Sequence, residues 1–116
     1  MTDSEYLELA AKAAGIELVW HGDTDPFCFA ETIAGIKWNP LTDDGDALRL
    51  AVKLAESAPG THFTLSISKI HDGRGFADAG FFSHINPTEQ VVGPDLAAAT
   101  RRAIVRAAAE IGRNMK

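Results

Sequence analysis

The feature that most constrains this chain is the run Trp38-Asn39-Pro40-Leu41-Thr42-Asp43-Asp44-Gly45-Asp46, followed by Ala47-Leu48-Arg49-Leu50-Ala51-Val52-Lys53-Leu54. It is a complete helix start. Pro40 lacks the N–H a strand ladder needs and pushes Asn39 away from helical angles. Asp43, Asp44 and Asp46 fall where a helix dipole favours negative charge, and N-terminal capping is the reading preferred over a calcium loop, whose distal Glu is missing. Ala47, Leu50, Ala51, Leu54 and Ala55 then make one apolar stripe, flanked by Leu48 and Val52. A helix is expected from about Asp43 to Ser57, stopped by Pro59-Gly60. Its stripe has to be covered by another element.

The other elements follow from the same rules. Thr2 and Glu5 have capping-box spacing and Gly15 suits a left-handed stop, so a first helix is expected over Asp3–Ala14, with Tyr6, Leu9, Ala10 and Ala13 inward. An extended segment, Ile16 to Trp20, follows. Phe27 to Ile36 is ambiguous; a short strand with Ala34–Trp38 as its return is one solution. Thr61 to Ile70 alternates cleanly, which places Phe63, Leu65 and Ile67 inward. His71-Asp72-Gly73-Arg74-Gly75 is a turn, and a strand within Phe76–Ile85 closes an antiparallel hairpin. Gln90-Val91-Val92 can add a third strand. Pro94 suits the first position of a final helix. Leu96, Thr100, Ala103, Ile104, Ala107, Ala108 and Ile111 form its inner face and Arg101, Arg102, Arg106, Glu110 and Arg113 its outer one, with Gly112 at a fraying end. The expected core is Leu9, Leu18, Trp38, Leu50, Leu54, Phe63, Leu65, Ile67, Ile104 and Ile111.

This order predicts an α+β fold, a small and mostly antiparallel sheet packed with helices, as one domain over residues 1–116. A chain of 116 residues with 46% apolar content can bury one core without a disulfide or metal staple. Cys28, the single cysteine, cannot pair internally and reads as a small buried hydrophobe. No basic region precedes an apolar run and no run reaches about 18 residues, so a cytoplasmic protein without a signal peptide or membrane span is expected. The net charge of −5 is unevenly placed: residues 1–46 sum to −8 and residues 47–116 to +3. General DNA binding is disfavoured by that acidic half. A local basic face for a small anion remains open.

No nucleophile elbow, phosphate loop, zinc-protease helix or dinucleotide fingerprint is present, so no catalytic residue, metal ligand or cofactor is assigned. His21, Asp23 and Asp25 alternate in a loop, where a solvated turn outweighs a metal site. His62, His71 and His84 lie on or beside the hairpin and would be the residues of a small His-dependent enzyme, the weakest alternative. The turn around Arg74 is the most distinctive polar segment. Its two glycines can expose successive N–H groups, Arg74 offers a planar bidentate donor, and Phe76 offers a stacking face. The alternative is a solvated hairpin tip. Trp38 can be core or a stacking wall, and Arg101 and Arg102 can be a solvated face or phosphate ligands. The ligand-binding candidates are therefore Arg74, His71, Phe76, Trp38, Arg101 and Arg102.

Residues 38–54 together with Thr100-Arg101-Arg102-Ala103-Ile104-Val105-Arg106-Ala107-Ala108-Ala109-Glu110-Ile111-Gly112 resemble small phage and prophage accessory proteins of the phage ABA-sandwich kind. The resemblance covers roughly residues 38–112 and rests on packing motifs. It implies a sandwich-like α/β/α arrangement with helices on both sheet faces, and a bacterial host cell as the setting. Such proteins are commonly adaptors or inhibitors of host systems, and one kind is a homo-oligomeric counter-defence sponge that sequesters nucleotide signals. The expected function is thus a non-enzymatic binding protein in phage–host interaction, homo-oligomeric, with a nucleotide-like ligand. The alternative is a protein–protein inhibitor or adaptor that offers an acidic, DNA-mimicking surface to a host factor. The Ala-rich final helix departs from the pattern by its lack of inner bulk. It must either approach its neighbours closely or serve, like the sheet edge, as a contact between subunits.

Overall fold

In a computed structural model the described residues form three helices and two antiparallel sheets, an α+β fold. The structure describes residues 2–22, 29–57, 63–69, 73–81 and 89–115. The elements are α1 (Asp3–Ala14), β1 (Leu18–His21), β2 (Phe29–Thr32), α2 (Asp44–Ser57), β3 (Phe63–Lys69), β4 (Gly75–Phe81), β5 (Glu89–Gly93) and α3 (Leu96–Arg113). One sheet pairs β1 with β2; the other has the order β3-β4-β5. Cys28, His62, His71, His84, Asp23 and Asp25 lie outside the described residues.

The helix ends obey their local chemistry. The Thr2 hydroxyl accepts from the Glu5 N–H at 3.2 Å, and α1 closes on Gly15 at φ 72°. At α2, Asp43 Oδ2 accepts from the Asp46 N–H at 2.8 Å, while Asp46 Oδ2 accepts from the Asn39 N–H at 2.9 Å. The Asn39-Pro40 corner is thereby locked to the first turn of α2. α3 begins two residues later than Pro94 suggests. Asp95 is the cap, its Oδ1 accepting from the N–H groups of Ala97 and Ala98 at 3.0 and 3.3 Å. A carboxylate cap satisfies two orphan donors, which a proline at the first helical position cannot do.

α3 is the centre of the molecule. It lies over β4 and β5, and both α1 and α2 pack against it. Its buried residues are therefore not one stripe: Ala99, Ala103, Ile104, Val105, Ala107, Ala108, Ala109 and Gly112 cover most of its circumference. A helix covered on several sides is apolar nearly all round, and small side chains let its neighbours approach. Five of its seven alanines are thus spent inside the subunit, and Ala97 and Ala98 alone of them are not buried. Gly112 is not a fraying end but a crossing point. A Cβ placed there would stand 2.0 Å from the Leu9 carbonyl oxygen of α1.

The core contains Trp38, Leu50, Leu54 and Ile104 as expected, with Leu18, Phe63 and Ile111 packed at its margin. Three expectations are corrected. On α1 the buried face is Leu7, Ala10, Ala11 and Ala14, rotated by about one residue from the expected one, because α3 docks on the alanine side of the helix. On α2, Ala55 is exposed, and so are the flanking Leu48 and Val52. Leu65 and Ile67 face the helix layer beside Ala79 and Ala77, yet are 38% and 48% exposed. α3 covers the alanines of β4 and leaves the neighbouring row on β3 open. Among the described elements, the three-stranded sheet meets α3 and, at β3, α2.

Candidate functional site

The six candidate ligand residues separate into three places. Trp38 is 6% exposed and belongs to the core, its N–H bonded to the Ala30 carbonyl at 3.0 Å. Arg101 and Arg102 leave α3 on adjacent sides and each finds an acid from the N-terminal half. Arg101 donates through Nε to the Leu41 carbonyl at 2.8 Å and pairs with Asp44 at 2.6 Å. Arg102 pairs with Asp3 at 3.2 Å. These guanidinium groups tie α3 to the first turns of α2 and α1. Arg74 is exposed just before β4, and Phe76 is half-buried on β4 with Ser68 and Val92 as its cross-strand partners. Gly75 between them lies against α3, since a Cβ there would stand 2.6 Å from the Leu96 Cα. His71 lies outside the described residues. The structure therefore keeps Arg74 and Phe76 together and places Trp38, Arg101 and Arg102 in structural contacts elsewhere.

The outer face of the β1–β2 sheet was not singled out by its sequence. The register pairs Trp20 with Ala30 and His21 with Phe29. Alternation then turns Leu18, Trp20 and Ala30 toward the core and leaves Val19, His21, Phe29 and Glu31 outward. The Trp20 indole N–H is satisfied by Glu8 of α1. Outside, the His21 and Phe29 rings stack at 4.9 Å with 20° between their planes. Lys37 Nζ lies 5.2 Å from the Phe29 centroid, within cation–π range, and His21 Nε2 lies 3.6 Å from Glu31. Lys37 bridges Glu31 from the returning segment, so the ambiguous region resolves into a strand and its return. The turn between them is closed by the Gly35 N–H on Thr32 O and the Thr32 N–H on Ile36 O, both 2.8 Å. It carries Ile33 and Ile36 at 69% and 66% exposure. With Val19 and Phe29, four large apolar side chains thus crowd one small sheet and its turn. The sequence signal was the placement of Ile33 and Ile36 around an Ala-Gly turn, where polar residues are usual.

Two carboxylates are drawn in from the surface, Asp46 wholly and Asp78 by one oxygen. Asp46 is 8% exposed and fully engaged, by Asn39 and by Arg49 at 2.7 Å. Asp78, half-buried on β4 between Ser66 and Gln90, buries Oδ1 without a hydrogen-bond partner among the described residues. Among the described residues no group of three His, Cys, Asp or Glu side chains could hold a metal ion, and no helix is long and apolar enough to cross a membrane.

No protein-family model matches the chain, and no curated protein and no solved structure matches it.

Proposed function

We propose that this chain is a non-enzymatic binding protein whose partner is another protein, an adaptor or inhibitor of the kind the phage resemblance of residues 38–112 implies. The observation that supports this most is the exposure of Val19 and Phe29 on the β1–β2 sheet and of Ile33 and Ile36 on the turn that follows it. Exposed apolar side chains close together in the fold favour a protein contact, and the Phe29 ring already stacks with His21 and lies within reach of Lys37. The nucleotide-sequestering version of the reading draws support from Arg74 and Phe76 alone. Its other phosphate ligands, Arg101 and Arg102, already hold acids, and its second stacking surface, Trp38, is buried.

The test is retention of bacterial host proteins on the immobilised chain, compared among wild type, Phe29→Ala and the double variant Ile33→Asp/Ile36→Asp. A host protein held by the wild type and lost from both folded variants is the expected result. Equal retention by all three would place the contact elsewhere. Calorimetry against cyclic di- and trinucleotides and cyclic ADP-ribose isomers covers the other version: heat that disappears in Arg74→Ala would move the nucleotide reading to the front.

A further inference from the structure

We propose that β3 is a self-pairing edge: two copies of the chain join antiparallel along Phe63–Lys69, with Ser66 on the two-fold axis, to make one six-stranded sheet. This is independent of the partner proposed for the β1–β2 face. β3 is hydrogen-bonded to β4 on one side, and among the described residues no strand pairs with its other side. Exposed edges are ordinarily blunted by charge, proline or a bulge. From Thr64 to Ser68 this one has none of them. The opposite edge, β5, is five residues long, begins at Glu89 and runs into Pro94.

The side chains of β3 are self-complementary. With Ser66 opposite its own copy, Leu65 faces Ile67 and Thr64 faces Ser68 in both directions, which is what a two-fold contact demands. The Leu65 and Ile67 rows of both copies would then meet on the helix side of the joined sheet, where each is at present 38% and 48% exposed. Charge selects the same strip. Two chains of net charge −5 repel wherever acids meet, and Phe63–Lys69 contains no acid. Its one charge, Lys69, falls opposite Phe63 of the copy. The two Lys69 residues are then about 20 Å apart, beyond the screening length of about 8 Å at physiological salt. Area sets the strength. A strand of this length offers a strip of about 24 by 10 Å, so about 500 Å² is buried in total, below the roughly 1,000 Å² of a lasting interface. The dimer is therefore weak and reversible, and forms at high micromolar concentration.

Sedimentation of the full chain across a concentration series should show a monomer at low micromolar and a growing dimer fraction toward millimolar. Ser66→Lys sets two lysines face to face on the axis, while Asp78 beside it on β4 balances the charge within each subunit. This variant should keep the wild-type circular dichroism and lose the dimer. In a Cys28→Ser background, Ser66→Cys should form a disulfide-linked dimer on mild oxidation at least 10-fold faster than Ser68→Cys, whose copies stand about 14 Å apart. A wild type monomeric throughout the series would overturn the proposal. So would a dimer that survives Ser66→Lys, or equal cross-linking at positions 66 and 68.

Discussion

Gly112→Ala should destabilise the fold, although alanine is the better helix former. In an isolated helix the substitution gains up to about 1 kcal/mol, and less near an end. Here the added Cβ would stand 2.0 Å from the Leu9 carbonyl oxygen, 2.8 Å from its carbon and 3.2 Å from its Cα. A tolerable carbon–oxygen contact is about 3.3 Å, so α1 and α3 must part by about 1.3 Å at that point. The obstacle is helix backbone, which cannot rotate away as a side chain can. Gaps of that size forfeit a large part of the dispersion attraction along the crossing, and the alanines there have no spare atoms to refill it. Overpacking of this kind costs about 3 kcal/mol, leaving a net loss of about 2–3 kcal/mol after the propensity gain. For a chain of this size the unfolding midpoint should fall by about 10 °C. Urea unfolding followed by circular dichroism gives the free energy, and an unchanged m-value shows that the same fold is being lost. A midpoint that stays put or rises would refute the crossing, because propensity alone would then be acting.

Four further substitutions discriminate among the contacts. Trp38→Ala should cost about 3–5 kcal/mol by urea unfolding, the penalty for emptying a buried aromatic site. Leu65→Ala should cost about 1–2 kcal/mol in dilute solution, less than a fully buried leucine, because the side chain is 38% exposed; a loss of about 3 kcal/mol or more would mean that the helix layer covers β3 after all. Arg101→Ala should cost about 1–3 kcal/mol because it strips the Leu41 carbonyl of its donor, whereas Arg102→Ala, at an exposed ion pair, should cost under about 1 kcal/mol, and equal losses would contradict the difference in burial. Asp95→Ala should cost about 1 kcal/mol through the α3 cap, read from the same unfolding curves.

Local structure was legible where one residue decides it. Thr2 and Gly15 bracket α1, the acids after Pro40 open α2, and the alternation from Phe63 marks β3. What the chain hides is which face of an alanine-rich helix is inside. On α1, Leu9 and Leu7 belong to competing stripes that share Ala10, and periodicity cannot choose between them. The choice falls to α3, whose glycine at position 112 needs the Leu9 backbone close by. The inward reading of Leu65 and Ile67 had the correct face and the wrong burial. Alternation names the side of a sheet a residue is on, but not whether a helix reaches that far. Of the candidate site, only the nearness of Arg74 to Phe76 could be read, because they are two residues apart at the start of β4. The cluster of His21, Phe29 and Lys37 depends on a pairing across the β1–β2 sheet and on a single bridge from the returning segment, neither of which has a short-range signature.

The charge asymmetry explains why Arg101 and Arg102 meet acids on the way out of α3. A surplus of +3 in residues 47–116 suggests a basic face only if the two halves of the chain stay apart. They do not. α3 runs through the middle of the fold, so Arg101 and Arg102 emerge beside the first turns of α2 and α1, where N-terminal acids lie. Arg101 meets Asp44 and Arg102 meets Asp3. The attraction that looked available to phosphate is used to hold helices together, and it also relieves the −8 of the other half. With these two arginines paired and a net charge of −5, that surface has little positive field with which to gather an anion. What it still offers a partner is apolar: the outward side chains of the β1–β2 sheet and the open row on β3. Both are contacts that a protein surface can complete and a small anion cannot.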